Sequence, residues 1–151
     1  MMRTVAWGAW FFSMVMFMSN CSHEPKPSAQ VTAKGAFDEL RTSVLAEIAD
    51  TQRAHTVAVL VDQLEQLMAE AVEARKAHAA KVHALNSNYD AFEDDFRTLF
   101  REFNAKRDAR QELILAIDQR ARSLTTAKEW KAISRDVARA LEESARAELA
   151  M

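Results

Sequence analysis

Glycine and proline are nearly missing from this 151-residue chain. Each occurs twice, and the 116 residues from position 36 to the end contain neither. Both supply the turns that sheet-rich folds need, so their scarcity excludes most β and α/β architectures. Gly35 is the last glycine, which excludes a Gly-rich phosphate loop in everything that follows. One cysteine excludes an intrachain disulfide framework. A surplus of one charge is missing too: 20 basic against 22 acidic residues leave a net −2, which argues against a general affinity for nucleic acid. What is abundant is alanine, with 28 copies, the residue of highest helix propensity. Length and composition together predict one elongated, nearly all-helical domain.

The first segment reads as an address. Arg3 supplies a short positive region, and the uncharged run from Thr4 to Ser22 follows it, most apolar over Val5–Met18. That stretch has the length of a signal-peptide core and falls short of the ~20 residues a membrane-spanning helix needs. The only cysteine comes next, in Met18-Ser19-Asn20-Cys21. This tetrapeptide resembles the lipobox of bacterial lipoproteins, with Asn20 where Gly, Ala or Ser is usual and Met18 where Leu is usual. The resemblance covers residues 1–21. It implies a signal peptide over 1–20, acylation of Cys21, palmitate included, and a membrane partner through that lipid anchor. An ordinary signal peptide and an uncleaved signal anchor are the alternatives. Ser22 after the cysteine implies the outer membrane, facing the periplasm, in an organism with two membranes. Residues 21–35 then form the lipidated N-terminus and a tether. They hold both prolines and Gly35 without apolar periodicity, and reach about 20 Å.

Residues 36–151 carry helical periodicity. Phe37, Leu40, Val44, Ile48, Val57, Leu60, Leu64, Leu67, Ala71, Val82 and Leu85 predict one long amphipathic helix, with a weak point at Asp50–His55 where Asp50-Thr51 can start a new one. Asn86-Ser87-Asn88 suits a turn. A second helix follows to about Leu124, its stripe formed by Tyr89, Phe92, Phe96, Leu99, Phe103, Leu113, Ile117 and Leu124. Asp90-Ala91-Phe92-Glu93 offers acids at capping-box spacing for its start; a single helix running through Asn88 is the alternative. Thr126 and Glu129 have capping-box spacing and start a third helix to about Leu149, with Trp130, Ile133, Val137 and Leu141 on its apolar face. The expected fold is all-α: a long antiparallel helical hairpin plus a third C-terminal helix, an elongated three-helix bundle.

A turn at Ser87 sets a register in which Phe92 meets His83, Phe96 meets Ala79, Leu99 meets Lys76 and Phe103 meets Val72. Lys106 and Arg110 fall on the seam by heptad extension, and the register offers them Glu70 and Glu65 as partners. A cleft that keeps the two cations wet is the other reading.

Enzyme signatures are missing, so neither catalysis nor a cofactor is expected. His78 and His83 are five apart, a poor helical spacing for one metal. Glu93-Asp94-Asp95 is a helix-start charge cluster, not a calcium loop. Two features are the candidates for partner binding, with a solvated face the competing reading of the second. Phe100 flanks the apolar stripe, and Lys128, Lys131, Arg135 and Arg139 form a basic stripe on the third helix. Leu124-Thr125-Thr126-Ala127-Lys128 is similar to the LTxxQ motif of small helical periplasmic proteins of the Spy type, with Lys128 in place of Gln. That likeness implies chaperone-like or stress-related binding of a protein client. A structural coiled-coil spacer or homo-oligomer in the cell envelope is the second function expected of such a chain, and a metal or small-molecule binder the third.

Overall fold

Among residues 29–150, which the computed structural model describes, the chain forms four helices and no strand: α1 (Ala29–Glu47), α2 (Thr51–Asn86), α3 (Glu93–Ser123) and α4 (Ala127–Leu149). The expected signal peptide, Cys21 and the part of the expected tether up to residue 28 lie outside the described residues.

The first correction is the helix count. The expected long first helix is two helices folded back on one another, because the weak point at Asp50 is a true break. Asp50 leaves helical geometry (φ −87°, ψ 115°) and its carboxylate accepts the Arg53 N–H at 2.7 Å. That satisfies one donor at the new N-terminus. Helix α1 also begins at Ala29, so residues 29–35, read above as the end of the tether, are helical.

The fold-back buries the stripe of the first segment. Phe37, Leu40, Val44 and Ile48 of α1 pack with Ala54, Val57, Val61 and Leu64 of α2, and with Ile133 and Ala140 of α4. Helix α4 runs antiparallel along α1. Ser43 donates to Asp136 at 2.5 Å, and Arg139 pairs with Glu39. On α2, Arg41 of α1 is held by Asp62 at 2.7 Å and by Glu65. Ile114, Ile117 and Ala121 near the end of α3 close the core.

Both turns at this end are tied together by one carboxylate. Glu129 is buried at the start of α4 and accepts the Thr126 N–H at 2.7 Å, completing the expected capping box with Thr126 Oγ1. It also accepts from both terminal nitrogens of Arg53 (3.0 and 3.1 Å) and from the Ala49 N–H of the α1–α2 turn at 3.1 Å. Arg53 donates in addition to the Leu124 carbonyl at 2.8 Å. Arg53, then the Thr126 N–H, hold the Glu129 carboxyl down at about 2, against burial, which works the other way.

The opposite end is bare. Helix α2 is 36 residues long, about 54 Å, and its antiparallel pairing with α3 continues well past the ends of α1 and α4. Helix α4 reaches only to Arg75, which Glu148 meets at 3.5 Å. Over its 31 residues α3 has no buried side chain. Tyr89 and Phe92, expected in the core, are exposed, Phe92 over 76% of its surface. Their spacing is that of a core stripe, but no third helix lies over this half of the hairpin to complete one.

Candidate functional site

The bare half of the hairpin, residues 76–110, forms a two-helix arm. Its tip is built by local polar chemistry. Ser87 caps α2 in right-handed geometry (φ −89°, ψ −6°), so no left-handed residue is needed. Asn88 Oδ1 accepts the Asp90 N–H at 3.1 Å. Helix α3 starts at Glu93, not at Asp90. Phe92 is its N-cap and offers no side-chain acceptor; Asp95 compensates by accepting the Phe92 N–H at 2.9 Å.

The six-residue connection shifts the register. Phe103, expected against Val72, stacks on His78 with ring centroids 4.1 Å apart and an interplanar angle of 16°. Phe100 meets the edge of the same imidazole, 5.0 Å away at 75°. His78 is thus an aromatic packing partner. Among the described residues no group of three or more His, Cys, Asp or Glu is placed to hold a metal.

Two grooves follow the arm, one on each face. The first lies on the side occupied farther down by α4 and opens where that helix stops. It encloses about 580 Å³. Phe100, Phe103, Ala79 and Val82 give it an apolar floor, and Arg75, His83, Asn104 and Arg107 give it a polar, mostly basic rim. Phe100 remains 46% exposed despite its contact with His78. This is the shape an amphipathic segment docks into, with apolar anchors inward and polar groups at the edge.

The second groove lies on the opposite face, about 120 Å³, between Ala74, Ala77 and His78 of α2 and Leu99 and Phe103 of α3. Its walls carry Lys81, Glu102, Lys106 and Arg110. The ion pairs expected for the seam cations do not form. Glu65 faces α1 and is taken by Arg41, and Glu70 accepts from Gln66 at 2.9 Å on its own helix. The wet cleft is the reading the geometry bears out for Lys106 and Arg110.

The basic stripe of α4 is elsewhere, on the base. Lys128, Lys131 and Arg135 are exposed, whereas Arg139 is engaged with Glu39 and, at 3.4 Å, with Asp136. The structure therefore does not bring Phe100 and the stripe into one site. Sequence reasoning put Ala79 and Val82 in the helix pairing and passed over Arg107, so it missed all three as groove residues. The signal that points to them is length: a third helix of 23 residues cannot cover a hairpin whose first arm has 36.

No helix among the described residues is long and apolar enough to cross a membrane. Compared with protein-family models, curated proteins and solved structures, the chain matches none.

Proposed function

We propose that this chain is a small envelope protein, anchored through acylated Cys21, that binds a protein client in the groove beside Phe100. The reading assigns it binding rather than catalysis. One observation carries the binding part: an aromatic floor of Phe100 and Phe103 lies open because α4 ends at Arg75. Exposed aromatic surface rimmed by polar groups marks interaction sites on soluble proteins. The basic rim favours a segment with an apolar face and acidic flanks, which would compete with Glu148 for Arg75 and with Asp108 for Arg107. Capture of such segments is the chaperone-like or stress-related activity that the LTxxQ likeness implies, and the anchor would hold it at the envelope.

The test is binding of a reduced, unfolded model protein, followed by fluorescence anisotropy. The wild type should bind; Phe100→Ser should bind at least about tenfold more weakly, in the range of a lost interface anchor. Neutralising Lys128, Lys131 and Arg135 to Gln should leave affinity unchanged if the groove is the site. The reverse pattern would move the site to the α4 stripe, and salt would then weaken binding strongly. Intact mass of the mature protein should begin at Cys21 with acyl chains added.

A structural oligomer is the second reading, favoured by the unpaired charges on the groove's opposite face.

A further inference from the structure

The face of the hairpin turned away from α1 and α4 is open along its whole length. Near the base it is lined by Leu60, Leu67, Leu113 and Ile117, and along the arm by Ala74, Ala77, Leu99 and Phe103. It spans about 32 Å from Leu60 to Lys81. Its charges are unsatisfied within the chain: Lys81, Lys106, Arg110 and Glu102 have no ion-pair partner among the described residues.

We infer that this face receives a second copy of the same face, the two hairpins packing antiparallel about a two-fold axis to make an intermolecular four-helix bundle. The charge pattern carries the inference. A two-fold in the plane between the faces, perpendicular to the helices, lays α2 on α2 and α3 on α3 with directions reversed. Placed at the level of Phe103, it sets Glu102 opposite the other copy's Lys106, and Asp95 opposite its Arg110. Lys106 and Arg110 of the groove thereby gain a carboxylate. The stacking of Phe103 on His78 brings the same axis across α2 at His78, and both rings line one groove in the single chain.

The apolar pattern obeys the same axis. Phe92 and Leu113, exposed over 76% and 54% of their surfaces, lie at equal distances on either side of the α3 centre, so each covers the other across the interface. Ala77 beside the α2 centre and Ala74 one turn away are small enough for helices to approach closely. The proposal concerns the face opposite the client groove, so it stands or falls independently of the binding function above.

The test is the mass of the full chain in a density-matched non-ionic detergent, by sedimentation equilibrium. The wild type should sediment at twice the chain mass. Lys106→Glu and Glu102→Lys should each place like charges together twice per dimer and raise the dissociation constant about tenfold or more. Mixed in equal amounts, the two variants should recover dimer, because each then supplies the charge the other lacks. Combining both substitutions in one chain should recover it too. A wild type that stays monomeric, a dimer indifferent to these reversals, or a mixture no better than its components would overturn the proposal.

Discussion

The two ends of the α2–α3 hairpin share backbone geometry and differ in what lies beside them. At the base, Val57, Val61 and Leu64 of α2 are buried under α1 and α4. At the arm, Ala77, Ala79 and Lys81 of the same helix face water, and α3 buries nothing. Fold stability and binding surface are therefore separated along one helix. Hydrophobic burial, at about 25 cal/mol per Å², concentrates where four helices meet, while the arm relies on one helix pairing and its own propensity.

The largest expected break in that contrast is Leu40→Ala. Leu40 is fully buried beneath α4, and its truncation should cost about 2–5 kcal/mol in urea unfolding. The matched change in the arm, Leu99→Ala, removes a half-buried side chain and should cost well under half as much; equal losses would show that the arm is as tightly packed as the base.

Next comes the clasp at Glu129. Its carboxyl is depressed from 4.5 to about 2 in the folded state, so it contributes stability above pH 4.5 that is lost as pH falls through about 2. Glu129→Gln should lower the melting temperature at pH 7 and flatten the acid limb of the stability curve between those values. An unchanged acid limb would place the pH dependence on other carboxylates. Thr126→Ala removes only the cap and should cost about 0.5–2 kcal/mol by thermal melt. The smallest effect is expected in the groove: Ala79→Leu, an exposed site, should change stability by no more than about 0.5 kcal/mol. Amide exchange would sharpen the whole contrast, with residues 77–86 and 93–105 opening at lower free energy than residues 54–64.

What could be read in the sequence was local chemistry. The turn at Ser87 and the Thr126–Glu129 box are specified by residues within a few positions of each other, and both occur where expected. The fold-back at Asp50 was visible only as a weak point. What makes it a turn is a set of contacts across some 80 positions, in which Glu129 receives Ala49 and Arg53. Register was misread for a similar reason. Phe92 has no capping side chain, so nothing local marks it as the helix start, and the longer connection moves Phe103 from Val72 to His78. Heptad extension correctly placed Lys106 and Arg110 on the seam between α2 and α3. Their assigned acids were wrong because Glu65 and Glu70 look elsewhere.

The direction in which α1 runs has a consequence for how the molecule stands on a surface. Ala33 and Phe37 lie beside Met68 and Val72, whereas Ala49 lies beside Glu129, so the N-terminal end of α1 points toward the hairpin tip. If residue 21 is held at a bilayer, the base with its clasp becomes the pole farthest from the lipid, and Tyr89 and Phe92 aim back toward the headgroups. The arm extends about 16 Å beyond Arg75, to Asn86. Such a molecule would work in the gap between itself and the membrane, not reach outward from it.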